Sequence, residues 1–169
     1  ENEIAQSEAF TGKKPMVKYW LHNGFITINS EKMSKSLNNF FLVKDVLEHY
    51  SPDALRFFLI SNHYRSPLDF SDERLEEMTR SLERLGTAID NVLELLAMPA
   101  GAKSPEAQQL LETAHKDEED FENAMCDDFN TALASAAMFD LAKNVNIFKN
   151  AVVNNGVPVD SAAMSEVKR

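Results

Sequence analysis

The chain has 169 residues, of which 44% are hydrophobic and 26% charged, a globular composition with a modest core that excludes a disordered tail or a fibre. No apolar run approaches the ~20 residues of a membrane span, and Glu1-Asn2-Glu3-Ile4 lacks the basic and apolar stretches of a signal peptide. The net charge of −10 comes wholly from residues 71–169, with nine Lys/Arg against nineteen Asp/Glu, whereas residues 1–70 carry eight of each; so acidic a surface repels phosphate backbones unless it segregates a basic face.

Residues 1–11 read as the end of a helix with Gly12 as its C-cap, and with no initiator Met the chain reads as a piece of a longer protein. Residues 17–21 and 24–28 are rich in β-formers and predict two short strands, the second closed by Asn29-Ser30. Residues 31–39 are polar and basic without an apolar period and predict a loop. A short helix is expected at 43–49, stopped by Ser51-Pro52, and a second at 53–61, where Pro52 suits the first turn. Ser66-Pro67 marks a turn, and the charge shift near residue 70 marks a domain boundary.

From Ser71 the period changes. Ser71-Asp72-Glu73 supplies a cap and acids that favour a helix start. Leu75, Met78, Leu82, Leu85, Ile89, Val92, Leu93 and Leu96 then recur at the spacing of one helical face, ending at Pro99-Ala100-Gly101. Further helices are expected at about 105–125, with Leu110, Leu111 and Phe121 inside, and at about 130–154, with Leu133, Ala137, Phe139, Leu141, Val145 and Phe148 inside. Three long amphipathic helices with short loops make an antiparallel bundle. The fold class is therefore mainly α with a minor β part.

Lys32-Met33-Ser34-Lys35-Ser36 is the segment whose chemistry can be named. Two ammonium groups three residues apart can swing onto a polyphosphate, with Ser34 and Ser36 adding hydroxyl donors. A pyrophosphate leaving group gains negative charge as its bond to the α-phosphate breaks, so cations that tighten at that moment lower the barrier. Each charge-assisted hydrogen bond is worth roughly 1.5–3 kcal/mol, about ten- to a hundred-fold in rate if felt only in the transition state. A solvated Lys/Ser turn is the bland alternative. Trp20 reads as core and His22 beside it as structural, with nucleotide contact the sharper option for His22.

The neighbouring motifs decide between these. The pentapeptide resembles the second signature of class I aminoacyl-tRNA synthetases, and Tyr19-Trp20-Leu21-His22-Asn23-Gly24-Phe25 and Asn39-Phe40-Phe41 around it resemble the cysteinyl-tRNA synthetases. So do Glu1-Asn2-Glu3-Ile4-Ala5-Gln6-Ser7, Tyr64-Arg65-Ser66-Pro67-Leu68 and Asp127-Asp128-Phe129-Asn130-Thr131-Ala132-Leu133. Asp53-Ala54-Leu55-Arg56 matches the motif that names the helical tRNA-binding domain of this subgroup.

This resemblance implies the C-terminal end of a Rossmann-type catalytic domain at 1–42, a connective helical unit at 43–70 and a DALR-type helical bundle at 71–169. It implies a cytoplasmic, monomeric enzyme with no membrane partner, which activates cysteine with ATP and Mg²⁺ and passes it to tRNA(Cys). Lys32 and Lys35 would be catalytic, and Lys32, Met33, Ser34, Lys35, Ser36 and His22 would bind ATP. Glu3 aligns with the one ligand in this chain for a single zinc ion, whose other ligands in the family, two cysteines and a histidine, lie upstream. Cys126 is not among them; a lone cysteine fits a reducing compartment and reads here as a buried structural thiol.

The family's first signature, His-x-Gly-His, does not occur in these residues, so the chain alone is expected to be inactive. Asn38 stands where the family commonly has Gly; Asn tolerates left-handed backbone, so the turn survives at some cost to loop mobility. Arg56 is expected to pair within its own unit, and His63-Tyr64-Arg65 is a candidate for facing the acceptor stem. Two other readings compete: a cysteine ligase that passes its adenylate to an amine, and a non-catalytic binding module.

Overall fold

The computed structural model describes residues 1–28, 31–33 and 42–168. Helix α1, Asn2–Thr11, ends where Gly12 turns left-handed at φ 66° and donates its N–H to the Glu8 carbonyl. Residues 17–21, expected to be a strand, are not one. Tyr19 is 82% exposed and Trp20 45% exposed, so Trp20 is not a core residue either. Among the described residues nothing buries the β-formers there, and β propensity is a fit to a pleated, half-buried surface, not an independent backbone preference.

The second expected strand forms as β1, Ile26–Ile28. The loop expected at 31–39 starts instead as a strand, β2, Glu31–Lys32, which pairs antiparallel with β1 through Thr27↔Lys32 and Ile28↔Glu31. On the other side of β1 lies β3, Leu68–Phe70, in parallel register Ile26↔Leu68, giving the order β2-β1-β3. Strands of two and three residues are too short to show an alternating pattern, which is why β2 and β3 escape sequence reading.

Helix α2 is Val43–Val46 and α3 is Pro52–Ile60. Ser51 caps α3 by accepting the Ala54 N–H at 3.1 Å, and Pro52 occupies the first turn, where its missing N–H costs nothing. Phe58, 1% exposed, packs with Val46, Leu68 and the first turn of α4 at Leu75. That cluster fastens the small sheet to α4, Asp72–Ala97, whose cap Ser71 accepts the Arg74 N–H.

Helices α5, Pro105–Cys126, and α6, Thr131–Asn155, follow as expected, capped by Ser104 and Asn130. A last helix, α7, Ser161–Val167, was not expected; Asp160 caps it with two backbone bonds. Val92 and Leu95 at the end of α4 meet Ala107 and Leu110 at the start of α5 and Val145 and Phe148 at the end of α6. Hence α5 runs antiparallel to its neighbours, and Met164 of α7 closes the end of the bundle.

The apolar stripes are wider than the contacts. Ile89, Leu93, Phe121 and Leu133, all expected in the core, are 61%, 44%, 37% and 56% exposed. Ile89 and Leu93 line a groove of about 310 Å³ between α4 and α6. Cys126, expected to be buried, is exposed at the end of α5, where the chain leaves the helix. Among the described residues no helix is long and apolar enough to cross a membrane.

Asp117 of α5 is 8% exposed, and its Oδ2 has no hydrogen-bond partner among the described residues. Burial first, then the charge of Asp140, raises its pKa above the ordinary 3.8, with a hydrogen bond from Asn144 opposing. The folded state thus holds this proton more tightly than the unfolded chain, so stability falls as pH rises through the raised value. Asp117→Asn is expected to raise Tm at pH 7, with the gain shrinking as pH falls towards about 4. Thermal melts of both proteins across that range check the sign.

Candidate functional site

The second-signature pentapeptide begins on the edge strand. Lys32 closes β2 opposite Thr27, and the N–H of half-buried Met33 donates to the Ile26 carbonyl at 3.3 Å, carrying the ladder one residue further. Ser34, Lys35, Ser36, Asn38 and Asn39-Phe40-Phe41 lie outside the described residues.

Behind β2 the frame is tight. Gly24 donates its N–H to the Tyr64 carbonyl at 2.7 Å, and Leu68 donates to the Phe25 carbonyl at 2.9 Å. A Cβ on Gly24 would stand 2.2 Å from the Ser66 carbonyl oxygen and 2.4 Å from its carbon. No side chain fits there. Thr27 Oγ1 donates to Asp69 Oδ1 at 2.6 Å, adding a side-chain tie between β1 and β3. The loop therefore leaves an edge strand whose neighbour, β1, is held by β3 and, just before its start, by main-chain bonds to Tyr64 and Leu68.

The other expected site residues sit on separate elements. His22 is exposed and stacks on Trp20 with ring centroids 6.3 Å apart and planes 9° from parallel, four residues before β1. Glu3 is exposed in the first turn of α1. Zinc takes four ligands from Cys, His or carboxylate, and among the described residues no three such side chains come together. One solvent-facing carboxylate does not make a zinc site, so the residues of this chain do not by themselves fit the metal. Arg56 pairs with Asp53 within α3 at 3.8 Å, both side chains being largely exposed.

Two motifs distant in sequence meet at a joint between the small sheet and the bundle. The Tyr64 hydroxyl donates to Asp128 Oδ1 at 2.8 Å and accepts from Arg65 Nε at 2.9 Å. Arg65 Nη2 reaches both carboxylate oxygens, at 3.2 and 3.1 Å. His63 Nε2 lies 3.7 Å from Asp128 Oδ2, and its ring stacks on Tyr64 at 4.9 Å. The hydrogen bond to Tyr64, then the charge of Asp128, raises the pKa of Arg65 above its ordinary value.

Thr131 Oγ1 donates across the same joint to the Ile60 carbonyl at 2.7 Å. The turn that presents Asp128 holds two successive non-glycine residues in left-handed backbone, Asp128 at φ 54° and Phe129 at φ 56°. Such a conformation costs an L-residue roughly 1–2 kcal/mol. It persists here because Phe129, Asn130 and Thr131 donate their backbone N–H groups to Met125, Ala124 and Phe129.

Comparison with known proteins gives two family matches. Residues 1–80 match the family model described as tRNA synthetases class I (C) catalytic domain, and residues 120–168 match the DALR domain. The Asp53-Ala54-Leu55-Arg56 tetrapeptide lies on α3, within the first match and not the second. The cysteine–tRNA ligase of Desulforamulus reducens is 54% identical over 150 residues, covering 88% of this chain and 31% of that protein. That of Geotalea daltonii is 56% identical over 155 residues, covering 86% and 31%. A Geobacter cysteine–tRNA ligase is 52% identical over 169 residues, covering 98% and 33%.

A solved LeuRS from Agrobacterium radiobacter, in ternary complex with tRNA and LeuAMS, shares the fold at TM-score 0.67 and 20% identity, over 86% of this chain and 19% of that one. A class I (C) catalytic-domain match that contains the signature pentapeptide, joined to a helical bundle with a DALR match, is the make-up of a class I tRNA synthetase. Within that class the chain belongs to the cysteine–tRNA ligases and spans about a third of the length of the curated relatives it matches.

Proposed function

We propose that this chain supplies a cysteine–tRNA ligase with its second signature loop and with part of the surface that holds tRNA(Cys). The observation that carries the reading is the identity of 52–56% to cysteine–tRNA ligases, which runs through the loop, the sheet behind it and the bundle.

In the activation step the cysteine carboxylate attacks the α-phosphorus of ATP. The bond to the bridging oxygen breaks, and pyrophosphate leaves with the negative charge. Lys32 and Lys35 donate N–H bonds to that leaving group, strengthening as its charge grows, and Ser34 and Ser36 add hydroxyl donors. Mg²⁺ bound with ATP would share in neutralising the phosphates. Lys32 stands at a strand end tied to β1, which fixes the point from which its side chain reaches. His22, exposed beside Trp20, is free to approach the nucleotide base.

Glu3 would be one ligand of a zinc site completed by residues outside this chain, and no step above depends on it. The domain limits 1–42, 43–70 and 71–169, the cytoplasmic location and the monomeric state belong to the same proposal. Charging of tRNA(Cys) with labelled cysteine by the full-length protein tests it. Cysteine-specific charging is the expected result, and charging with a different amino acid, or none, overturns the reading.

A further inference from the structure

We infer that Asp128 is a positioning residue for the tRNA-dependent step: its carboxylate pins the α5–α6 turn of the bundle to residues 63–65, and so sets where the bundle stands relative to the signature loop. The inference rests on the cysteine-ligase reading above.

A continuous series of hydrogen bonds carries it. Asp128 holds the side chains of Tyr64 and Arg65. The Tyr64 carbonyl holds Gly24, two residues before β1. Strand β1 pairs with β2, and β2 ends on Lys32, the first residue of the loop. Only the first step, from Asp128 to Tyr64 and Arg65, is made by side chains; from Tyr64 to β2 the main chain carries the link.

Three features argue that this is more than surface decoration. Arg65 Nη2 reaches both carboxylate oxygens, the phenol donates to Oδ1, and Arg65 Nε donates to the phenol, so the three groups close a ring that fixes direction as well as distance. The turn keeps Asp128 and Phe129 in left-handed backbone to aim it, a conformation that persists only where the surroundings impose it. The Arg65 side chain is also 62% exposed, and ion pairs that exposed contribute little to stability, so their geometry is the part worth keeping.

The small sheet does not need the latch to hold together, because Gly24, Phe25 and Leu68 bond through their main chains. Loss of the carboxylate should therefore spare amino-acid activation and impair transfer to tRNA, which needs bundle and loop in register.

The test uses the full-length enzyme and three variants, Asp128→Ala, Arg65→Ala and the double substitution, each assayed two ways. One assay is cysteine-dependent exchange of labelled pyrophosphate into ATP without tRNA; the other is single-turnover transfer of cysteine to tRNA. Each single substitution is expected to leave exchange within about threefold of wild type and to slow transfer by about tenfold or more. The double variant is expected to be no slower than the worse single one, because both residues act through one contact. Asp128→Asn, which keeps the acceptor for Tyr64 but not the charge, should fall between wild type and Asp128→Ala, and it carries the test if the alanine variant does not fold.

Exchange and transfer falling together in step with Tm would show a merely structural role and overturn the inference. Transfer at the wild-type rate would also overturn it. A wild-type enzyme that does not exchange pyrophosphate with cysteine would instead sink the cysteine-ligase reading on which the inference stands.

Discussion

Replacing Lys35 by alanine in the full-length protein is expected to slow cysteine activation by roughly ten- to a thousand-fold while changing ATP affinity much less. The asymmetry follows from when the ammonium acts. A cation that meets the phosphates only as the α–β bond breaks stabilises the transition state and not the bound substrate, so its loss appears in the rate. Lys35→Arg should recover part of the rate, since a planar fork cannot occupy a point-charge position in the same geometry. Lys32, tied into the edge strand by its backbone, should matter less than Lys35. A solvated turn would instead give stability changes within about 0.5 kcal/mol and no kinetic effect. Rapid-quench measurement of adenylate formation separates the two, and a Lys35→Ala enzyme with wild-type activation would end the catalytic assignment.

The second large effect is expected at Gly24, where the smallest possible change meets the least available room. An added methyl would lie 2.2 Å from the Ser66 carbonyl oxygen, a backbone atom that cannot swing aside. Either β1 or the 64–68 segment must shift, breaking the Gly24–Tyr64 and Leu68–Phe25 bonds. Overpacking of this kind costs about 1–3 kcal/mol, and a domain this size loses about 2–4 °C of Tm for each of those. Because β1 also carries the signature loop through β2, Gly24→Ala should lower activation as well as Tm. Gly86→Ala is the control. Gly86 lies within α4 with nothing within 4 Å of the added carbon, and there alanine should stabilise by about 0.5–1 kcal/mol. Thermal melts of the two variants beside wild type should move in opposite directions.

What the residues disclose before any coordinates differs by element. The long helices are legible because their apolar period repeats over six or seven turns and, for α4, because Ser71 stands where a cap is needed. The sheet is not, since strands of two or three residues carry no period and the pairing of Ile26 with Leu68 joins residues 42 apart. Residues 17–21 mislead for the converse reason: they are built like a strand, but they stay exposed among the described residues. The stripe on α4 is too generous, because periodicity marks a face and cannot say how far a neighbour covers it; Ile89 and Leu93 stay in an open groove.

Of the candidate site, the proposed loop chemistry rests on two lysines and two serines together with the neighbouring motifs, because the pentapeptide alone also fits a solvated turn. The Asp128 latch is not, although both motifs that form it stand out in the sequence. An Asp-Asp-Phe-Asn turn hints at left-handed backbone, which Asp and Asn tolerate, but nothing in it names Tyr64 and Arg65 as partners. That pairing exists only once the end of α3 and the start of α6 are brought together, with Thr131 bonded to Ile60.

The central claim is that this loop serves cysteine activation as part of a longer protein. It is tested most directly by cysteine-dependent exchange of labelled pyrophosphate into ATP, measured for the full-length protein and for the isolated 169-residue chain side by side. The account predicts exchange by the full-length protein that depends on cysteine, and none by the isolated chain, which holds the second signature without the first. Exchange by the 169-residue chain alone, or full-length exchange indifferent to cysteine, would contradict it.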